Sequence, residues 1–123
     1  MTVKLRVEFR AEGAVQSWDL TSLDVKPHFP EVLASAGEGR AIAIELPAGE
    51  RLDEHQVHER AWLIVVRGDV QVLEPDGPSV TGREGFFAEF DPNERREVRA
   101  RSDARLLLIL SPWPGEGHPS RRD

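Results

Sequence analysis

Turn-forming residues interrupt this sequence at short intervals from residue 36 onward. Clusters of glycine, proline, aspartate and asparagine, which tolerate tight or left-handed backbone, occur at 36–39, 47–49, 68–69, 75–77, 82–85 and 91–93. The stretches between them are short and apolar, and none has the periodicity and caps of a helix. This spacing predicts an all-β domain, a sandwich or a barrel. The predicted strands are 3–9, 32–35, 40–46, 61–66, 70–73, 86–90, 96–100 and 105–110.

The length, charge and composition of the chain exclude several classes of protein and of binding partner. With 123 residues, the chain has the size of one domain. Its net charge is −6, and no nucleic-acid partner is expected because that would need a clustered basic face. It has no cysteine, which excludes disulfides and thiolate ligands. No apolar run approaches the roughly 18 residues of a membrane span, and the N-terminus lacks a signal peptide's apolar centre. We therefore expect a single cytoplasmic domain over 1–123, without membrane contact.

The segment that begins at Gly49 has the features of a metal site at the edge of a sheet. His55 and His58 precede the apolar strand 61–66, and Gly68 follows it. Imidazole nitrogens in such a place are suitable ligands for a divalent metal ion. Side chains three residues apart on an extended strand point to opposite faces. Both histidines therefore reach one metal ion only if a bulge or loop turns the chain between them.

The order of these elements resembles the cupin superfamily, small β-barrels of the double-stranded β-helix or jelly-roll type. The family's first motif contains a glycine, two metal-binding histidines, a glutamate and a closing glycine. Three of its positions match this sequence, those of Gly49, His55 and Gly68. The second histidine position falls on Val57, one residue before His58, and the glutamate position falls on Ala61. The resemblance thus implies the fold, whereas its ligand set is incomplete here.

The family's second motif, counted from Gly85, places its metal-binding histidine on Arg96. A guanidinium group stays protonated and is no conventional metal ligand, but it can hold a carboxylate or phosphate through two hydrogen bonds. An internal salt bridge and a place on a solvated strand face are the other roles open to Arg96. The resemblance covers about residues 38–111, and residues 112–123 form a C-terminal tail. Within the family, the chain is similar to small single-domain bacterial cupins of unassigned activity.

Three functions are open for such a chain, and whether it is an enzyme stays undecided. We favour a barrel that binds a small molecule, possibly anionic, with Arg96, His55, Glu59 and Leu63 as candidate ligand-binding residues. The second is a metal-dependent enzyme of the dioxygenase or isomerase type, in which His55, His58 and Glu59 hold a divalent metal ion. The third is a structural or interaction domain.

Both faces of the predicted strand 61–66 are apolar. Ala61, Leu63 and Val65 alternate with Trp62, Ile64 and Val66. One face is expected to line the barrel, so the other needs a cover. The N-terminal strand or a second subunit would supply it, and we predict a homodimer.

Overall fold

The computed structural model describes residues 15–36, 39–56, 59–74, 77–92 and 95–111, of which 36, 53–56 and 95 are described by their backbone alone. These residues form nine β-strands and no α-helix, so the all-β prediction is confirmed. In the same part of the chain there is accordingly no helix that could cross a membrane. The strands are β1 Glu31–Ala36, β2 Gly39–Leu46, β3 Arg51–Gln56, β4 Arg60–Arg67, β5 Asp69–Leu73, β6 Val80–Arg83, β7 Phe87–Phe90, β8 Arg95–Ala100 and β9 Ala104–Ser111.

The strands form two antiparallel sheets. One has five strands in the order β1-β2-β9-β4-β7, and the other has four in the order β3-β8-β5-β6. From β2 onward the chain passes repeatedly from one sheet to the other, so most sheet neighbours are distant in sequence. Such crossing is typical of a jelly roll, and it brings residues from both halves of the sequence to one end of the domain.

The core lies between the inner faces of the two sheets. On β4, strict alternation buries Ala61, Leu63 and Val65, and β9 presents Leu106 and Leu108 beside them. The four-stranded sheet contributes buried residues as well, namely Val70, Val72, Val98 and Ala100. Burial of each valine or leucine contributes about 1.5–3 kcal/mol. The alternation therefore fixes which residues of every strand face the interior, including those at the strand ends.

The two ends of the sandwich differ in what they contain. One end, which we call the base, holds the turns at 47–50 and 101–103. There the backbone of Gly49 and Glu50 exchanges hydrogen bonds with Ala100, and the amide of Ala48 donates to Asp103 Oδ1 over 2.9 Å. The opposite end, which we call the mouth, is where β2, β4 and β8 begin and β3, β7 and β9 end. The mouth carries the residues singled out from the sequence.

Two strands, β3 and β6, were not predicted. The sequence of β3, R-L-D-E-H-Q, is polar and lacks alternation, and β6, V-T-G-R, is short and contains glycine. Both are held by pairing, β3 with β8 and β6 with β5. The seven predicted strands from 32 onward agree with the structure to within about two residues. The predicted strand 3–9 and the tail 112–123 lie outside the described residues.

A buried arginine holds the segment 15–25 against the five-stranded sheet. Arg105 is 4% exposed. Its Nε donates to Glu45 Oε1 over 2.7 Å, and its Nη1 donates to the carbonyl oxygens of Leu20, over 3.0 Å, and Leu23, over 2.6 Å. Arg67 Nη1 donates to a third carbonyl of this segment. The segment therefore covers part of the sheet's outer face by polar contacts at its edge.

Candidate functional site

His55 and Arg96 are paired across β3 and β8 at the mouth. The register runs from Leu52 opposite Val98 to His55 opposite Arg96, so three steps on β3 match two on β8. This is a β-bulge, and it brings the backbone of residue 55 opposite that of Arg96. Since Arg96 is two residues from the buried Val98, Arg96 lies on the interior face of β8. The bulge or loop that a shared metal site would need between His55 and His58 falls partly outside the described residues, and it stays a prediction.

The side chain of Arg96 contacts the opposite sheet. Its Cζ lies 5.4 Å from the ring centroid of Phe90 on β7, a cation–π contact, and Phe90 packs against the core. On the outer face of β8, Arg99 Nη2 instead donates to Glu97 Oε2 over 2.9 Å. Arg96 thus lies in the half-buried interior of the mouth. The solvated strand face that was one of its possible places is occupied by Glu97 and Arg99.

Glu59 and Ala61 lie on the inner face at the start of β4. Ala61, which occupies the family's carboxylate position, is 1% exposed and pairs with Phe90 and Leu110. Glu59 precedes it by two residues, is 7% exposed and interacts with another part of the chain. The mouth therefore contains a carboxylate, one step nearer to the open end than the family motif places it.

Arg40 is an inward residue of the mouth that the sequence analysis missed. It lies on β2 directly opposite Leu110, and its Nε is buried. Alternation places Arg40 on the face of Ile42, Ile44 and Leu46, which point into the core. Arg40, Leu110, Ala61 and Phe90 consequently form one row across β2, β9, β4 and β7. The signal was present in the sequence, because Arg40 begins the apolar alternation of β2.

Leu63 occupies the layer beneath this row. It pairs with Ala88 and Leu108 and is among the largest fully buried side chains. Leu63 is 1% exposed and forms the floor below the mouth. A ligand above Ala61 would contact Leu63 only if the side chains between them moved slightly. Its role as a ligand-binding residue stays a prediction, as do the roles of His55 and Glu59.

The described side chains of the mouth do not fit a conventional cupin metal centre. Alanine stands at the carboxylate position and a guanidinium at the second-motif histidine position. Among the described residues there is no group of three or more histidine, cysteine, aspartate or glutamate side chains that could hold a metal ion. The proposed set of His55, His58 and Glu59 has only the side chain of Glu59 within that part of the chain, and it stays a prediction.

A network of exposed ion pairs closes the outer rim of the mouth. Arg60 Nη1 donates to Glu89 Oε2 over 2.6 Å and to Asp91 Oδ1 over 2.7 Å. The hydrogen bond to Asp91, followed by that to Glu89, raises the pKa of Arg60. Exposed pairs of this kind contribute little net stability. They join the start of β4 to the end of β7, directly outside the row that contains Ala61 and Phe90.

A groove of about 480 Å³ lies at the base, far from these residues. Its lining residues are Asp69, Thr81, Gly82, Arg83, Glu84, Phe86 and Arg101. Four of these seven residues are charged, and three of the four, Arg83, Glu84 and Arg101, are exposed. A ligand site more commonly combines an apolar pocket with a few convergent polar groups. The mouth has that composition, so we place the candidate site there and not in the groove.

The fold is shared with solved cupin structures at low sequence identity. An RmlC-like cupin family protein with a double-stranded β-helix fold from Methanocaldococcus jannaschii superposes with a TM-score of 0.70, at 18% identity over 83% of this chain and 93% of that one. An uncharacterized conserved protein with a double-stranded β-helix domain from Klebsiella pneumoniae gives 0.69, at 13% identity over 80% and 91%. A cupin-2 domain protein from Shewanella frigidimarina gives 0.64, at 17% identity over 76% and 88%.

The sequence comparisons add no function to this likeness. No protein-family model matches the chain, and no curated protein matches it. At these identities the structural neighbours establish the fold alone, and a chemical role has to be argued from the residues of this chain.

Proposed function

Because this chain has the cupin fold, a double-stranded β-helix, we propose that it binds a small anionic molecule at the mouth without a conventional metal site. The observation that carries the proposal is the inward placement of Arg96, opposite His55 and against Phe90. The cation occupies a position where the family resemblance implies a metal ligand. An anion is the ligand that this exchange favours.

The environment of Arg96 suits a carboxylate or phosphate. A guanidinium group presents paired N–H donors in a planar fork that matches both anions. At a half-buried position the attraction between opposite charges is stronger than in bulk water, because the surroundings screen it less. The contact with Phe90 also restricts the side chain, so less conformational entropy is lost on binding.

The side chains around Arg96 suit the apolar body of a small ligand. Ala61 is smaller than the glutamate that the family motif has there, and the neighbouring Leu110 and Phe90 have apolar side chains. His55 would supply the second polar anchor, and Glu59 a carboxylate at the edge. A short carboxylate with an apolar chain fits this combination of groups.

The experiment is to titrate the protein with the small anions acetate, butyrate and inorganic phosphate and to measure the affinity of each by isothermal calorimetry at low ionic strength. We expect Arg96→Gln to weaken binding by about 10- to 100-fold, since a hydrogen bond to a charged group contributes about 1.5–3 kcal/mol. The matched control is Arg83→Gln, which removes one positive charge at the base. Equal affinities of Arg96→Gln and the wild type, or no binding of any of these anions, would refute the proposal.

One observation favours the metal-dependent alternative. Glu59 is a buried carboxylate on the inner face, two residues before Ala61, and with His55 and His58 it would complete a two-histidine, one-carboxylate set. A bound metal ion would act there as a Lewis acid. The metal-dependent alternative predicts a stoichiometric metal ion in the purified protein, whereas the anion site predicts far less than one equivalent.

A further inference from the structure

A second inward arginine lies at the same end of the barrel as Arg96. We infer that Arg40 is a second anion-binding residue and that the molecule bound at the mouth is a dicarboxylate with an aliphatic body. This inference rests on the proposed function and deepens it. Arg40 belongs to neither of the family motifs by which the candidate residues were selected, and its place follows from the strand register.

The two arginines approach the mouth from different sheets. Arg40 lies on β2 of the five-stranded sheet, whereas Arg96 lies on β8 of the four-stranded sheet. Phe90, which contacts Arg96, is on β7, three strands away from β2, or roughly 14 Å at the usual strand spacing. Their guanidinium groups therefore face the mouth from separate sides. A single carboxylate reaches one of them, and a molecule with an anionic group at each end reaches both.

The surface between the two arginines is apolar. Leu110 and Ala61 separate Arg40 from Phe90 along the row, and neither has a polar side-chain atom. The middle of the ligand would pass Leu110 and Ala61, which are almost fully buried and present no polar group to it, so a hydrocarbon chain is favoured over a hydroxylated or charged one. This argues for an aliphatic dicarboxylate and against an inorganic dianion, whose charge is concentrated at one point.

Both arginines already make contacts within the chain, as does Glu59. A guanidinium group has five N–H donors, so it can hold a partner in the protein and a ligand carboxylate together. The existing contacts would fix each side chain before the ligand arrives, as a preorganised site requires.

The test compares acids that have equal carbon chains and differ by one carboxylate. Malonate, succinate, glutarate and adipate are each paired with the monocarboxylate of the same length, propionate, butyrate, pentanoate and hexanoate. Affinities are measured by calorimetry for the wild type, Arg40→Gln, Arg96→Gln and the control Arg83→Gln. For at least one length we expect the wild type to bind the dicarboxylate 10-fold or more tightly than its partner.

The expected pattern assigns one carboxylate to each arginine. Arg40→Gln should bind the dicarboxylate no more tightly than the monocarboxylate. Its affinity for the monocarboxylate should equal that of the wild type. Arg96→Gln should weaken both, and Arg83→Gln neither. If Arg40→Gln does not fold, as judged by circular dichroism, Arg40→Lys decides, since it keeps the charge but loses the fork and should bind the dicarboxylate less tightly than the wild type.

Two results would overturn the inference, and they separate it from the proposed function. If monocarboxylates bind through Arg96 while dicarboxylates bind no more tightly, or Arg40→Gln and Arg40→Lys leave the preference unchanged, Arg40 is not a ligand-binding residue and the anion site stands. If no acid of either series binds the wild type, both the inference and the proposed function fail.

Discussion

His55 and Arg96 are directly opposite each other on β3 and β8, in a register set by the bulge between Leu52 and His55. The two positions are those at which the resemblance to cupins places a metal-binding histidine from each motif. In this chain the two motif positions meet, and one of them carries a guanidinium group in place of an imidazole. A fixed cation at 96 repels a divalent metal ion and attracts an anion, and the first prediction follows from this.

The purified native protein should contain far less than one equivalent of manganese, iron, cobalt, nickel or zinc. Elemental analysis by mass spectrometry measures this directly, and His55→Ala/His58→Ala should leave the content unchanged. Arg96→His removes the cation and supplies an imidazole, so it should raise the metal content after incubation with zinc or nickel. Stoichiometric metal in the wild type that the double variant loses would establish the alternative centre of His55, His58 and Glu59.

The sequence predicts the pairing of His55 with Arg96 only through the resemblance. Counting from Gly49 and Gly85 locates both positions, but local pattern does not predict β3, because its residues are mostly polar and its register depends on a bulge. A bulge arises from pairing with β8, which is over 40 residues away along the chain, and no short window of sequence contains that information.

Arg40 illustrates the opposite case. The alternation that continues as Ile42, Ile44 and Leu46 predicts both the strand and its inner face, so the inward direction of Arg40 could have been predicted. Its position beside Leu110 and in one row with Ala61 could not, because strand order within a sheet is a property of the whole topology. For the residues of the candidate site, local sequence thus determines which way a side chain points, whereas the topology of the whole domain determines which side chains lie close together.

Arg105 should be a major determinant of stability although it lies far from the mouth. Arg105→Met removes its hydrogen bonds to Glu45, Leu20 and Leu23, and it leaves a largely buried carboxylate without this partner. We expect a loss of about 3–5 kcal/mol in the free energy of unfolding, the usual cost of breaking a buried ion pair. Urea denaturation followed by circular dichroism measures it.

Two further variants separate charge from burial in this prediction. Arg101→Gln removes an exposed arginine and should change stability by no more than about 0.5 kcal/mol. Arg105→Met/Glu45→Leu replaces both charges by apolar groups and should recover part of the loss. An unchanged denaturation midpoint for Arg105→Met would show that Arg105 does not anchor the segment 15–25.

The outer face of the five-stranded sheet should be an interface between two copies of this chain. Apolar residues lie in register on its strands β9, β4 and β7, namely Leu107, Ile64 and Phe87. Phe87 is 59% exposed. The outer face of the four-stranded sheet instead carries Arg99, Gln71 and Thr81 in register, which suits solvent. We propose that a second copy covers the apolar face by a two-fold contact.

Phe87→Glu tests this interface by placing a charge on the apolar face of each copy. Light scattering coupled to size-exclusion chromatography should give the mass of a dimer for the wild type and of a monomer for the variant. Val80→Glu, an exposed apolar position on β6 of the other sheet, should leave the mass unchanged. A monomeric wild type, or a Phe87→Glu protein that remains dimeric, contradicts the proposed second copy.

Gly82 should be required for the packing of the base and irrelevant to binding at the mouth. A Cβ atom at this position would lie 2.1 Å from Cγ of Phe86, so the ring would have to move. Gly82→Ala should therefore cost about 1–3 kcal/mol of unfolding free energy, the usual effect of overpacking. Gly39→Ala is the matched control, because its Cβ would meet only the carbonyl oxygen of Leu110 at 3.6 Å, an ordinary contact.

A double-mutant cycle assigns the effect to the ring. Phe86→Leu gives up some apolar contact and should destabilise the protein by itself, but it removes the atoms that collide with the new methyl group. The loss caused by Gly82→Ala should then be smaller in the Phe86→Leu background than in the wild type. Both residues line the groove at the base, whereas Arg96 is at the other end of β8. Carboxylate affinity should therefore be equal in Gly82→Ala and the wild type, and a shared loss of stability and affinity would mean that the two ends are coupled.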